Sequence, residues 1–377
     1  MARLRFIVLF IILTGCANIS SSPSPSTTQL TNKKLIEYGW DVPTVSFIHD
    51  HITEMQKRPF DGVAFKLTGE DDSPSSAFDS RRWNEAEIGF DSLDQIQWGS
   101  LDSSFIVLWA SNPVAMDWFD DARWNVIVEN MRLFSKALKL SRVKGVFFDP
   151  EFYSVRETHS LWWYTSDIYP TMNKTQVEAK ARQRGAQFMT ALQSETDHFD
   201  FLSFYFLSES VRMNEGSSQA NDYTHFELLP AFIYGMMDAA KPDVQFIDGN
   251  EPSYYFTQAV QYSNAKEFVK QQTLTFVPDN LQTSYQRVHV ANALYLDYYM
   301  ALRPEHDRGL PWEDRLKWLK HNLYYSLQES DEYVWLYSEH ADWWKNDISP
   351  DIEAAIQESR QKINDQQPLG FEIHIPQ

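Results

Sequence analysis

The chain is poor in several things that common chemistries require. Its one cysteine, Cys16, excludes an internal disulfide and a thiolate metal cluster. Glycine is scarce, 13 of 377 residues, against a usual share of about 7%. Neither G-x-G-x-x-G nor G-x-x-x-x-G-K-[ST] occurs, so the sequence offers no phosphate-cradling loop. H-x-x-x-H, H-E-x-x-H and G-x-S-x-G are also missing, which leaves a zinc hydrolase or a serine esterase without its signature. His49 and His51 stand two apart in a segment read as helix, where they do not share a face. Basic residues are outnumbered 33 to 52, which argues against a nucleic-acid partner and against direct adsorption to anionic membrane. No cofactor and no metal are called for.

What is present starts with an address. Arg3 and Arg5 precede the apolar run Phe6–Leu13, which is too short to span a bilayer, and Leu13-Thr14-Gly15-Cys16 follows. That tetrapeptide resembles the lipobox of bacterial lipoproteins. The resemblance implies removal of residues 1–15, lipidation of Cys16 and anchoring of the mature chain; Ala17 rather than Asp then favours the outer membrane, on its periplasmic or cell-surface face. Residues 16–33 carry the Ser/Thr/Pro-rich stretch from Ser20 to Thr31 and read as a flexible tether. Without the leader, 31 basic residues face 52 acidic ones, a balance of −21. A domain over residues 34–377 must then rest on its own hydrophobic core.

Short apolar runs alternate with helical periods along that whole domain. Leu35–Trp40, Gly62–Leu67, Phe105–Ala110, Val143–Phe148, Phe201–Phe206, Val244–Ile247, Val288–Leu296 and Tyr333–Tyr337 read as strands apolar on both faces. Asp121–Leu140, Thr175–Ser194 (with Thr175 as N-cap), Phe226–Ala240, Trp312–Gln328 and Pro350–Asn364 read as amphipathic helices. Eight strand–helix units in one series predict a single α/β (β/α)8 TIM barrel with long βα loops, the longest candidate being Phe152–Asn173. Val288–Tyr299 fits a helical period as well, so the seventh strand is the least constrained.

Barrel chemistry collects at the C-terminal ends of the strands, and here acids stand there repeatedly. The fourth run ends in Asp149-Pro150-Glu151, followed by Phe152 and Tyr153. Asp41, Asp248 with Glu251, Asp297 and Glu339 follow the first, sixth, seventh and eighth runs, with Trp40, Trp109, Tyr205, Trp335 and Trp344 interleaved. Paired carboxylates among rings are what glycosidic hydrolysis requires: one group kept protonated, one ionised, and aromatic faces for sugar C–H groups. Acids that cap the following helices are the plain alternative, and Asp41 and Glu251, each close to a proline, fit it. On the catalytic reading Glu151 is the general acid, Asp149 orients it, and Glu251 or Glu339 is the nucleophile or base. Trp40, Asp41, Lys66, Trp109, Tyr205, Asp248, Asp297, Trp335 and Trp344 are the substrate-binding candidates. Lys66 suits a sugar hydroxyl or acid group, or simply solvent.

The segments IEYGWDVP, EMQKRPFDGVAF, KGVFFDPEFY, FIDGNEPSYY, LYLDYYM and EYVWLYSEHADWW resemble a largely uncharacterised family of exported bacterial proteins regarded as glycoside-hydrolase-like barrels. The resemblance spans roughly Leu35 to Trp344. It implies that Asp41, Asp149, Glu151, Asp248, Glu251, Asp297 and Glu339 occupy the family's motif positions, and it brings no substrate. Asp149-Pro150-Glu151 is also similar to chitinase-like families that use substrate-assisted catalysis. It departs from their run of spaced aspartates, since residues 144–148 supply none and a proline fills the middle position, which argues against an N-acetyl-dependent mechanism. Two readings follow: a lipid-anchored glycoside hydrolase acting on an oligo- or polysaccharide, or a non-catalytic glycan-binding surface lipoprotein. A structural lipoprotein would leave the acids unexplained.

Overall fold

The strand pattern closes on itself. The computed structural model describes residues 33–67, 74–110, 116–151, 161–165, 167–214, 226–345 and 347–375. Cys16, the leader and most of the tether lie outside the described residues, as do positions 152–160 of the loop after the fourth strand. The strands are β1 (Lys34–Gly39), β2 (Gly62–Phe65), β3 (Phe105–Trp109), β4 (Gly145–Asp149), β5 (Phe199–Ser203), β6 (Val244–Asp248), β7 (His289–Val290), β8 (Asn292–Tyr295) and β9 (Tyr333–Ser338). They pair in the order β7-β6-β5-β4-β3-β2-β1-β9-β8, and every pairing is parallel.

The two ends of that order are one piece of chain. β7 and β8 are separated by Ala291 alone, whose N–H donates to the Asp248 carbonyl at 2.8 Å. β7 pairs with β6 through Ile247↔His289 and Asp248↔Val290, whereas β8 pairs with β9 from Asn292↔Val334 to Tyr295↔Tyr337. The seventh stave therefore bonds one neighbour with its first half and the other with its second, which makes an eight-staved (β/α)8 barrel. Each of the eight expected strands is found. The seventh also explains its double periodicity, because β8 runs straight into the helix Leu296–Met300.

Side chains alternate between two cores, as a pleated strand demands. Ile36, Phe105, Val107, Phe147, Leu202, Phe204, Ile247, Tyr333 and Trp335 fill the barrel. Leu35, Val63, Ile106, Leu108, Val146, Phe148, Phe201 and Leu336 pack outward against the helices. The interior is solid with rings. Phe204 stacks on Trp335 at 4.4 Å, and Phe147 lies 5.0 Å from Phe204 and 5.5 Å from Trp335. Each such fully buried ring contributes roughly 1.5–3 kcal/mol by the area it removes from water.

The outer helices follow the sequence periods closely. Asp121–Ser141 buries Trp124, Ile127, Met131, Phe134 and Leu138, and Asp120 caps it by accepting the Arg123 N–H at 3.0 Å. Pro350–Asn364 and Trp312–Glu329 match, and the helix expected from Phe226 begins at Leu229. The helix expected from Thr175 is Lys174–Leu192, and its cap is Asn173, not Thr175. Asn173 accepts the Gln176 N–H while the Gln176 side chain accepts the Asn173 N–H, a reciprocal pair that a lone Thr175 hydroxyl cannot match. Lys174–Leu192 and Leu229–Ala239 approach so closely that a Cβ on Gly235 would lie 1.8 Å from the Arg182 carbonyl oxygen. Among the described residues no helix is long and apolar enough to cross a membrane.

The described chain enters at the floor of the barrel. Lys33 donates to the carbonyls of Ser330 and Asp331, just before β9 starts. That is the end opposite the strands' C-termini.

Candidate active site

β4 delivers the first carboxylate. Its alternation sends Phe147 inward and Phe148 outward, so Asp149 faces the barrel's mouth, with 1% of its surface exposed. The strand ends there. The Glu151 N–H turns back to Asp149 Oδ1 at 2.8 Å, a local bond that competes with continuing the ladder. Glu151 is met from β5's end by Tyr205, whose hydroxyl donates to Glu151 Oε1 at 3.2 Å. Glu251 opens the short 3-10 helix Glu251–Tyr255 after β6, and its Oε2 is shielded from water with no hydrogen-bond partner among the described residues.

These three carboxyl groups act on one another. Burial pushes Glu151 up to about 7, and the hydrogen bond from Tyr205 restrains the rise. Asp149 is pushed well above the usual carboxylate range, first by burial and then by the charge of Glu151. Glu251 is raised likewise by burial, then by Glu151 and Asp149, with Tyr205 pulling the other way. Like charges so close cannot all ionise together, and the cluster gives up its protons in steps.

A fourth carboxylate sits on another wall, beside a cation. β9 points Tyr333, Trp335 and Tyr337 inward, and Glu339 continues that row. Glu339 Oε1 accepts the Tyr337 hydroxyl at 3.0 Å, and Oε2 is ion-paired with Arg303. The Arg303 guanidinium also lies over the Trp40 ring, 5.6 Å from its centre. Trp40 is 66% exposed, the most open of the large apolar side chains among the described residues, and the His340 ring is 6.0 Å away. Tyr255 joins the two walls. It is pushed up to about 12 by burial, then by Glu251, Tyr298, Glu151 and Glu339.

Tyrosines line the space between. Tyr38 stacks on Tyr337 at 5.6 Å, Tyr254 on Tyr337 at 5.8 Å, and Tyr295 lies 5.3 Å from both Tyr254 and Tyr337. Trp109 donates its Nε1–H to the Tyr38 hydroxyl at 3.2 Å. Tyr38, Tyr254, Tyr295 and Tyr337 join the site without being among the candidates that the strand ends supply. The signal for Tyr337 was its position two residues before Glu339, on the same side of β9.

Several sequence candidates lie elsewhere. Asp248 falls on the helix-facing side of β6, one step out of phase with Ile247, and accepts the Asn250 N–H at 3.1 Å. Asp297 is completely buried in the first turn of Leu296–Met300. It accepts the N–H groups of Glu339 (2.9 Å) and His340 (2.8 Å) and meets His340 Nδ1 at 2.9 Å, so it fastens the end of β9. Trp335 is barrel core, its Nε1–H given to the Gly249 carbonyl at 2.9 Å. Asp41 accepts the Trp343 N–H at 2.8 Å and folds back onto the fully buried Glu37, with burial lifting it to about 6. Trp344 packs half-buried on the outer core. Lys66 follows β2 on its inward phase, its N–H bonded to the Pro43 carbonyl at 3.0 Å. Asp149, Glu151, Glu251, Tyr205 and Trp109 are thus brought together, with Glu339 and Trp40 on the facing wall. Among the described residues no three His, Cys, Asp or Glu side chains are placed to hold a metal ion.

No family model and no curated protein matches the chain. Three solved structures to which the chain is similar are a glucosidase, a chitinase and a glycoside hydrolase. A glucosidase from Croceicoccus marinus is 12% identical, with TM-score 0.38, over 89% of this chain and 66% of its own, so the chain spans less than two thirds of that enzyme's length. A family 18 chitinase from the chitin utilization locus of Flavobacterium johnsoniae is 11% identical, with TM-score 0.38, over 88% of this chain and 95% of that one. A glycoside hydrolase family 5 enzyme from Prevotella bryantii B14, solved with a xyloglucan tetradecasaccharide, is 8% identical, with TM-score 0.44, over 88% and 97%. The class of the fold, a (β/α)8 barrel, follows from this chain's own strand order, and what the barrel does rests on its site.

Proposed function

We propose that the protein is a glycoside hydrolase that cleaves an oligo- or polysaccharide at the C-terminal mouth of its barrel. The observation that carries this reading is the cluster Asp149–Glu151–Glu251, in which burial sets Glu151 near neutrality. A carboxyl group with a pKa near the working pH is the efficient proton donor and acceptor. Glu151 protonates the glycosidic oxygen as the bond to the anomeric carbon breaks, and later takes a proton from water. Asp149 and Glu251, both raised by burial and by neighbouring carboxylates, favour the protonated form more than free carboxyls do, and Asp149 also holds the turn that carries Glu151. Glu339, ion-paired with Arg303, supplies the carboxylate for the positive charge that develops on the sugar. Trp40 and Tyr255, both exposed, offer flat faces to sugar C–H groups. Cys16 carries the lipid that fixes the enzyme to the outer membrane.

The test compares the soluble domain from Asn18 onward with its Glu151→Gln variant, by reducing-sugar release across plant, algal and bacterial polysaccharides. Release by the parent and its loss in the variant are expected. Equal release by both would remove Glu151 from the mechanism. Silence from a parent that still binds glycan would make the barrel a binding protein. For the anchor, Cys16→Ser should move the full chain from the membrane to the soluble fraction, and retention in the membrane would refute lipidation there.

A further inference from the structure

Glu251 stands on a residue whose backbone is held in an unusual state. Asn250 has φ 45° and ψ 50°, the left-handed region, which crowds the Cβ of a non-glycine residue against its own backbone. Asparagine tolerates it better than most, yet glycine would be the cheaper choice if the turn were all that mattered. Gly249, immediately before, shows that the chain places glycine in this very loop.

The Asn250 side chain accounts for the difference. It is 1% exposed, and each of its polar groups is engaged. Nδ2 donates to Asn292 Oδ1 at 2.8 Å, and Oδ1 accepts from Arg212 Nη2 at 3.2 Å. The Asn250 N–H donates to Asp248 Oδ1 at 3.1 Å, and its carbonyl accepts the Ser253 N–H at 3.0 Å and the Ser253 hydroxyl at 2.8 Å. The partners are fixed in turn. Asn292 Nδ2 donates to Ser330 Oγ at 2.9 Å, and Ser253 Oγ both accepts the Ala293 N–H at 2.7 Å and lies 2.9 Å from the Ala293 carbonyl. The residue before Glu251 is thereby tied to β6, β8 and the helix Leu207–Asn214 at once.

We propose that Asn250 is a positioning residue, a buried polar clamp that holds Glu251 in the carboxyl cluster rather than letting it swing to solvent. The inference rests on the catalytic reading of that cluster. It also gives Asp248 a part at one remove from the chemistry, as the acceptor that fixes the clamp's backbone.

Asn250→Gly separates clamp from turn, because glycine accepts the left-handed backbone and deletes both side-chain bonds. Asn250→Asp keeps the acceptor for Arg212 and loses the donor to Asn292, and it carries the test if the glycine variant does not fold. Full-length protein in detergent would be labelled with 13C at glutamate carboxyls and titrated, with the Glu251 signal assigned by Glu251→Gln. Asn250→Gly should bring the Glu251 midpoint down towards 4.5, and both variants, Asn250→Asp being read by kinetics alone because it adds a carboxyl beside Glu251, should lower kcat at least tenfold with KM within twofold. A Glu251 midpoint and kcat unchanged in a folded variant would overturn the proposal and leave Asn250 as a turn residue. If the parent hydrolyses nothing, the catalytic reading falls by itself, and the Glu251 titration still decides whether Asn250 sets that carboxyl's surroundings.

Discussion

Neutralising Glu151 should stabilise the protein, but only on the alkaline side. Its carboxyl is raised from the ordinary 4.5 to about 7, chiefly by burial. Below pH 4.5 the group is protonated in both folded and unfolded chains, so replacing it by the near-isosteric glutamine changes little. Between 4.5 and 7 the unfolded chain ionises freely while the folded one resists, and folding stability drains away as pH rises through this window. At about 1.4 kcal/mol per unit, the full shift is worth roughly 3 kcal/mol. The residue keeps partial contact with water and shares its protons with Asp149 and Glu251, so about 1–2 kcal/mol is the expected gain for Glu151→Gln above pH 8. The Tyr205 hydroxyl can still donate to the glutamine oxygen, which keeps that bond out of the balance. Urea unfolding of parent and variant at pH 4.5 and 8.5 measures the effect. Matching stability at pH 4.5 with a higher urea midpoint for the variant at pH 8.5 is the expected result. A variant equally or less stable at pH 8.5 would refute the claim that this site holds its charge at the fold's expense.

Tyr205→Phe removes a hydrogen bond that favours ionised Glu151, so the alkaline limb of kcat/KM should move upward from near pH 7 by about one unit; a limb that stays put or moves down would contradict the assignment. Gly235→Ala would drive a methyl group into the Arg182 carbonyl, and the overpacking cost of about 1–3 kcal/mol exceeds the roughly 1 kcal/mol gained in helix propensity. A urea midpoint equal to the parent's would show that the two helices can slide apart freely. Trp40→Ala should raise KM about tenfold on any glycan the enzyme cleaves, with kcat within twofold, as expected when uniform binding is lost; an unchanged KM would take Trp40 out of the binding surface.

Much of the barrel was written in the sequence because buried parallel strands are apolar on both faces and leave unbroken runs. Phe105–Trp109 and Gly145–Asp149 need no partner to be recognised. The closure at Ala291 was hidden, since a one-residue interruption between two ladders alters no hydrophobic pattern. Site membership was harder because it depends on strand phase and not on composition. Asp149 and Asp248 both end a strand, yet Asp149 shares the inward phase of Phe147 while Asp248 alternates away from Ile247. Asp297 looked like a strand end and proved to be the first turn of a helix. Its carboxylate is occupied by His340 and two backbone N–H groups, a role set by residues some forty positions on. Trp335 has the inward phase but lies four residues below Glu339, deep enough to be core. The Asn250 clamp draws on β6, β8 and Leu207–Asn214, and no local pattern could announce it.

The entry of the chain at the barrel's floor has a bearing on what the protein can reach. Lys33 is fastened beside the start of β9, at the pole away from Glu151, Glu251 and Glu339. On the proposed reading, a lipid on Cys16 would join the chain at that pole, opposite the mouth that holds Glu151, Glu251 and Glu339. A lipid there and a glycan at the mouth would then meet the barrel at opposite ends, so that neither need displace the other.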